Sequence, residues 1–148
     1  MVSDKMAKSS SRLVVAVHVL TLLAHEEGRA LTSDYIAGSV NTNPVVIRRV
    51  LRLLAKAGLV RSVEGAGGGT TLARRVDEIT LAEVFQAVER GELFGVPRKD
   101  PNPMCPVGRC VQTILGGHLA RVEEAIERNM EEISIADILT EVRAAGRS

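Results

Sequence analysis

Apolar residues recur every three or four positions through the first part of the chain, a spacing that predicts amphipathic helices. The first helix is predicted over about residues 10–26 and should end near Gly28. A second helix is predicted to begin after Thr32, whose hydroxyl can cap it. Three of its residues are expected to face inward: Tyr35, Ile36 and Ala37.

The third predicted helix, over residues 44–57, carries the most information. Asn43 or Thr42 can cap it, Pro44 suits its first turn, and Gly58 suits its C-terminal end. Its predicted buried stripe consists of Ile47, Val50, Leu51 and Leu54. Four cations fall largely outside that stripe: Arg48, Arg49, Arg52 and Lys56.

Two short strands joined by the glycine-rich turn 65–69 follow this basic helix directly. Two helices separated by a tight turn, preceded by a buried helix and followed by a hairpin, are the outline of a winged helix-turn-helix. Such a head lays one helix in a DNA groove and one loop on the sugar–phosphate backbone. The sequence therefore predicts a mainly α fold with a two-stranded wing, in which residues 1–90 form the DNA-binding head.

The second half of the chain predicts a different kind of element. Residues 80–83 form a capping box that opens a helix to about Glu89, and residues 91–110 hold four of the five prolines and are predicted to form a loop. Ser134 can cap a last short helix that ends near Arg143. Between the loop and this helix, apolar residues form a seam on a helix of about 20 residues: Leu115, Leu119, Val122, Ile126, Met130 and Ile133.

The long helix has one apolar edge and a charged back, so it could pack against the first helix of its own chain. Its length exceeds what a compact head needs, and we therefore favour pairing with a second copy. Residues 111–148 are accordingly assigned to a dimerisation helix followed by a C-terminal short helix, and residues 91–110 to a sensor loop. A twofold dimer places its two basic helices about 34–36 Å apart, one duplex turn, and predicts a palindromic operator.

Charge is divided unevenly along the chain. Residues 5–75 carry 11 Lys and Arg against 4 Asp and Glu, a net +7, whereas residues 76–148 carry 8 against 13, a net −5. The basic half is the electrostatic footprint expected of a surface that binds phosphates. Aromatic residues make up only 2% of the chain, which argues against single-strand binding by base stacking.

Composition also narrows the compartment and the class of protein. The apolar run over residues 13–24 is too short to span a bilayer, and no convincing signal peptide precedes it. We therefore expect a cytoplasmic protein with reduced thiols and no membrane partner. No nucleophile–base pair, metal constellation or phosphate-binding loop stands out, so we expect no enzyme activity.

The predicted DNA contacts follow from position on the fold. The N-terminal end of the third helix reaches base edges, whereas residues further along it and in the wing meet phosphates. The residues assigned to base edges are Thr42, Asn43, Val45, Arg48 and Arg49. The remaining residues assigned to the DNA surface are Lys8, Arg12, Thr32, Arg52, Lys56, Arg61, Gly65, Gly67, Gly68 and Gly69.

Several segments together resemble the Rrf2 family of bacterial transcription regulators, which includes the iron–sulfur cluster regulator and the nitrite-sensitive repressor. They are residues 53–63, 65–69, 72–74, 79–84 and 133–138, with the cysteine-bearing loop and the long helix. The resemblance implies a dimeric, DNA-binding and sensory protein. The position before Gly65 is often basic in the family, but here it is Glu64, so wing contact should rest on Arg61 and glycine amides.

The two cysteines bear on how a sensory protein of this kind would detect its signal. Family members with a cluster use three loop cysteines and a further ligand, whereas this chain has only Cys105 and Cys110. A [2Fe–2S] cluster normally needs four ligands, so we expect no cofactor and no metal site. Two symmetric loops could in principle bridge one cluster; the histidines that could contribute are His18, His25 and His118.

A thiol switch is the favoured alternative to a cluster, because Arg109 and the start of the long helix would favour a thiolate at Cys110. Inert cysteines and a small-molecule effector remain open. The competing function is a winged-helix protein-interaction module that does not bind DNA, which Glu64 in the wing would suit. DNA affinity that falls steeply with salt separates a regulator from such a module.

Overall fold

The computed structural model of the chain describes residues 4–89 and 91–147, with side chains from Ser11 onward. It confirms a mainly α winged helix-turn-helix with a two-stranded antiparallel wing and a long C-terminal helix. The elements in chain order are α1 (Asp4–His25), α2 (Ser33–Val40), α3 (Pro44–Lys56), β1 (Val60–Val63), β2 (Gly69–Leu72), a short 3-10 helix (Val76–Glu78), α4 (Leu81–Val88), α5 (Pro106–Glu131) and α6 (Ile135–Ala145). None of the helices within these ranges is long and apolar enough to cross a bilayer.

Helix α1 is the centre of the head, because it packs against α2, α3, α4, α6 and β2. It begins earlier than predicted, at Asp4 rather than near residue 10. Its inward face supplies fully buried side chains to one core that also takes in the apolar stripe of α3. That core includes Ala16, Val19, Leu20, Ile36, Ile47 and Leu54.

Local contacts define both ends of α2. The Thr32 hydroxyl accepts from the Tyr35 N–H at 3.1 Å, which confirms the cap. Asn41 ends α2 in the left-handed conformation with φ 61°, a conformation that asparagine tolerates. The inward orientation of Tyr35 is wrong: its side chain is 44% exposed and its hydroxyl donates to Glu26 at 2.7 Å. A phenol keeps its hydroxyl paired more easily at the surface than in this aliphatic core.

The wing is a four-residue antiparallel pair whose register runs from Val60 opposite Leu72 to Val63 opposite Gly69. Its second strand has a further partner that the sequence did not predict. The Leu31 N–H donates to the Thr70 carbonyl at 3.0 Å, and the Thr70 N–H donates to the Leu31 carbonyl at 2.8 Å. These bonds join the wing to the segment that leads into α2.

The predicted capping box at Thr80 of α4 is confirmed, and the predicted cap Ser134 of α6 also forms a capping box, with Asp137. The two caps lie side by side: the Leu81 N–H donates to the Ile133 carbonyl at 2.7 Å, and Ile135 donates to Ile79 at 2.9 Å. Helix α6 then packs against α1 and buries Ile135 completely. This packing joins the C-terminal short helix to the head.

Helix α5 is 26 residues long and begins at Pro106, so the loop before it is shorter than the predicted 91–110. The helix buries no residue. The predicted apolar seam is divided: Ile126 and Met130 are half-buried in its second half, which packs against α4. An exposed apolar stripe extends from the start of α5 past its middle, and we call it the α5 stripe: Val107, Val111, Ile114, Leu115 and Val122.

Candidate nucleic-acid interface

Helix α3 presents two opposite faces. At 3.6 residues per turn, the four buried positions lie on one side of the helix axis, and the cations lie on the other side together with Val45. The buried side packs into the head core, as the sequence predicts. The exposed side carries Arg48, Arg49, Arg52 and Lys56.

The four α3 cations are also free of internal partners. Within the described part of the chain, none of them forms a salt bridge or a side-chain hydrogen bond. Other cations of the basic half are already paired: Arg29 with Glu26 at 3.1 Å, Arg74 with Glu83 at 2.9 Å and Arg75 with Asp77 at 2.8 Å. The uncompensated positive charge of the head is therefore concentrated on α3.

The start of α3 is fixed by its cap. The Asn43 carboxamide oxygen accepts from the Val45 N–H at 2.8 Å, and Pro44 occupies the first turn. This selects Asn43 as the cap where the sequence left Thr42 open. Val45 is 43% exposed, and a methyl-bearing side chain at this end suits contact with an apolar part of a base edge.

The wing glycines are required by the turn itself. Gly65 and Gly67 have φ values of 90° and 75°, which side chains other than glycine rarely adopt. A Cβ on Gly68 would lie 2.3 Å from the Val63 carbonyl oxygen, and one on Gly69 would lie 2.4 Å from that of Leu31. The Gly68 N–H donates to the Gly65 carbonyl at 3.0 Å, so it is already engaged. We had assigned it to a phosphate.

The residues predicted to flank the interface have different surroundings. The side chain of Lys8 lies outside the described residues. Arg12 is exposed and donates to the Val88 carbonyl at 2.8 Å, so its guanidinium caps the end of α4, a contact that competes with DNA. Arg61 is exposed on β1, and Glu64 is exposed where the turn begins.

A surface cluster beside α2 was missed by the sequence analysis. The Arg29 guanidinium lies 5.4 Å from the centre of the Tyr35 ring, and both side chains bond Glu26. The cluster joins the end of α1 to the start of α2. The only signal in the sequence was an aromatic residue close to Thr32, which we took for a core position.

The cysteines lie at the start of α5 and not in a loop. Cys105 is the N-cap and Cys110 lies within the helix; both are free and exposed. The thiol of Cys105 makes no capping hydrogen bond, yet the backbone N–H groups of Gly108 and Val107 lower its pKa. Cys105 is thus a position that favours a thiolate, and the assignment of Cys110 stays a prediction.

The donor groups of a single chain fall short of the ligand set of an iron–sulfur cluster. Each chain supplies two thiols, and no group of three or more His, Cys, Asp or Glu side chains comes together in the described ranges. Two of the histidines have other hydrogen-bond partners: His18 bonds Ser39 at 2.9 Å, and His118 bonds Arg121 at 3.0 Å. One chain therefore falls short of four ligands.

Comparisons with known proteins agree with this geometry. The family model "Rrf2: Iron-dependent Transcriptional regulator" matches residues 9–141. The HTH-type transcriptional regulator YwnA of Bacillus subtilis (strain 168) is 39% identical over 130 residues, covering 88% of this chain and 96% of that protein. The crystal structure of a DNA binding protein is 37% identical with a TM-score of 0.69, covering 86% of this chain and 98% of its own. IscR of T. potens shares the fold, with a TM-score of 0.70 at 23% identity over 98% of this chain and 90% of its own. The chain belongs to the Rrf2 family of DNA-binding transcription regulators.

Proposed function

We propose that two copies of the chain bind a palindromic operator, with α3 of each copy in the major groove. The observation that carries the proposal is the exposed face of α3, where four cations lack partners and the opposite face is buried in the core. Such a helix is held rigidly while its charged face remains free for DNA. Val45, Arg48 and Arg49 lie nearest its N-terminal end and are assigned to base edges.

The other cations are assigned to the backbone of the duplex. Arg52 and Lys56 lie further along α3, and Arg61 lies on the wing, where phosphates are the nearer partners. Thr32 and the Gly65, Gly67 and Gly69 amides remain assigned to the same backbone. Each phosphate contact releases counterions, so the logarithm of the affinity should fall linearly with the logarithm of salt concentration.

A homodimer through α5 completes the proposal. Ile114 is 61% exposed, Leu115 49% and Val122 44%, all on the same side of the helix. A contiguous apolar stripe of this kind on a regular helix is typical of a protein–protein contact. A second copy is the occupant that a twofold operator requires, because it supplies the second α3.

We further propose that thiol chemistry at the start of α5, without a cluster, supplies the signal. Five helical residues span about 7.5 Å along the axis, beyond the roughly 4.4–6.8 Å Cα separation of a disulfide. A bond between Cys105 and Cys110 of one chain would therefore require the first turn of α5 to unwind. Unwinding there would displace Val107 and Val111, two residues of the α5 stripe, and so disturb the dimer. Should a double Cys→Ser variant respond to oxidant like the parent, a small-molecule effector would remain.

The experiment that tests DNA recognition compares two arginines with a matched control. An operator is selected from random duplexes, and affinities are measured by fluorescence anisotropy over a range of salt concentrations. Arg48→Ala and Arg49→Ala should each cost about 1–3 kcal/mol on the operator if they contact bases. Arg128→Ala, on the exposed back of α5, should leave the affinity unchanged. A head that binds no duplex at low salt would favour the protein-interaction module. If both variants match the control on the operator, the assignment of α3 as the recognition helix is wrong.

A further inference from the structure

A cavity of about 490 Å³ lies on the head, away from the exposed face of α3. Its walls come from the end of α1, from β2, from the segment containing the 3-10 helix, and from α6. Its apolar wall includes Leu23, Ala24, Leu72 and Leu139. The volume is within the range typical of small-molecule sites, which combine apolar walls with a few polar groups.

Three of the four arginines around this cavity are already neutralised. Arg29, Arg74 and Arg75 each pair with a carboxylate, at 3.1, 2.9 and 2.8 Å. These ion pairs leave one lining cation, Arg143 of α6, and one lining anion, Glu27 just beyond α1. Neither of these two has a hydrogen-bond or ion-pair partner in the described ranges, and they do not pair with each other.

A cavity with one free charge of each sign favours a particular ligand chemistry. With its ion pairs counted, the site has no excess charge that would attract a simple anion or a simple cation. A zwitterion can bond both free groups at once, its carboxylate to Arg143 and its ammonium to Glu27, through charge-assisted hydrogen bonds. The apolar wall would then contact an apolar side chain of the ligand.

Thr71 of β2 adds a further polar group. It lines the same cavity, and its hydroxyl oxygen is shielded from solvent without a hydrogen-bond partner in the described part of the chain. Buried hydroxyls are normally paired, and rotation of the Thr71 side chain toward the cavity would let a ligand group pair with it. Thr71 stands opposite Arg61 in the wing, which connects the cavity to a strand assigned to DNA.

We propose that this cavity binds a free α-amino acid with an apolar side chain and that occupancy alters the position of the wing. The effect on DNA rests on the proposed operator function, whereas binding itself does not. Leucine is a suitable probe because its two analogues each lack one charged group: 4-methylpentanoate lacks the ammonium, and 3-methylbutylamine lacks the carboxylate.

The test is calorimetric titration of the full-length protein with the three compounds. L-leucine should bind, and each analogue should bind at least roughly tenfold more weakly, because each loses one charged contact. Arg143→Gln and Glu27→Gln should each weaken leucine binding by a similar factor. Arg147→Gln and Glu141→Gln, which change the same charges outside the cavity, should leave leucine binding unchanged.

Operator affinity measured on the same samples separates the two proposals. Leucine should change the affinity of the parent protein and of neither cavity variant. A parent that binds the operator but takes up no leucine at millimolar concentration would overturn the cavity proposal and leave the DNA function standing. Equal binding of leucine and 4-methylpentanoate would overturn the zwitterion assignment. Cavity variants that lose operator affinity without any amino acid present would identify Arg143 and Glu27 as part of the DNA surface instead.

Discussion

Helices α3 and α5 are both amphipathic, yet their apolar faces have opposite environments. In α3, four of the 13 residues are buried, all of them apolar, and the opposite face is basic and exposed. In α5, no residue is buried in 26, and the charged back is largely acidic. The core of the chain thus buries the apolar face of α3, whereas the α5 stripe stays exposed among the residues that the structure describes. The comparison identifies the two surfaces where partners of different chemistry are expected, DNA on α3 and protein on α5.

A charge placed on the α5 stripe tests most directly whether this surface binds a second copy. Ile114→Glu should convert the dimer to a monomer, because a carboxylate would be buried without a partner in the interface. Loss of the paired head should then weaken operator binding by about 10²–10⁴-fold. Analytical ultracentrifugation and anisotropy measure the two effects.

The control for that change is Glu124→Ala, on the exposed back of α5, which should remain dimeric. Because Ile114 is exposed within one chain, circular dichroism of the Ile114→Glu variant should keep the helical signal of the parent. A variant that is still dimeric at nanomolar concentration would exclude the α5 stripe as the interface.

Matched truncations in the two helices compare how much each apolar face contributes to the free energy of unfolding. Leu54→Ala in α3 should lower the free energy of unfolding by about 2–5 kcal/mol, because it leaves a cavity in the core. Leu115→Ala in α5 should cost much less when both proteins are measured as monomers in the Ile114→Glu background. Urea denaturation gives both values. Equal losses would mean that the first half of α5 packs against its own head.

The smallest expected effect concerns Cys105. The backbone N–H groups of Gly108 and Val107 lower its pKa, so its thiolate should persist to a lower pH than that of an ordinary cysteine. In a Cys110→Ser variant, the rate of alkylation by iodoacetamide, followed by mass spectrometry, should rise with pH and reach its midpoint below the ordinary thiol value. The urea-unfolded protein provides the reference, since the helix start is absent there. Identical midpoints in the two states would show that α5 does not influence this thiol.

The lowered pKa of Cys105 also makes the stability of the protein depend on pH. Because the folded-state pKa of Cys105 is lowered, its contribution to stability is present above the unfolded-state pKa. That contribution is lost as pH falls through the folded-state pKa. Since the group is fully exposed, the effect on unfolding should be small, and the alkylation rate is the more sensitive measurement.

Local signals explain which elements could be predicted from the sequence. The caps at Thr32, Thr80 and Ser134 depend on residues within three positions of each other, and the structure has each of them. The buried stripe of α3 depends only on helical periodicity. The start of α5 was misplaced because Pro106 was counted with the loop prolines, although proline suits the first turn of a helix.

The remaining features depend on contacts between distant parts of the chain. No local pattern around Leu31 indicates that it pairs with Thr70, and none around Ser134 indicates that it meets Thr80. The free charges at Glu27 and Arg143 come together only because α6 returns to α1. Tyr35 was misassigned for the same reason, since its periodicity suits burial and its surroundings do not. The DNA-contact residues themselves stay predictions.

The short pairing between residues 79–81 and 133–135 has a consequence for the operator. Backbone hydrogen bonds attach the segment after α5 directly to the head, so the head has little freedom to rotate about the end of that helix. Two heads joined through α5 would therefore accept half-sites only when both face the same side of the duplex. Adding half a turn of DNA between the half-sites would leave the base sequence of each half-site unchanged. It would still prevent both heads from binding at the same time. Genomic targets of such a protein should be defined by the spacing of their half-sites in whole helical turns as well as by base sequence.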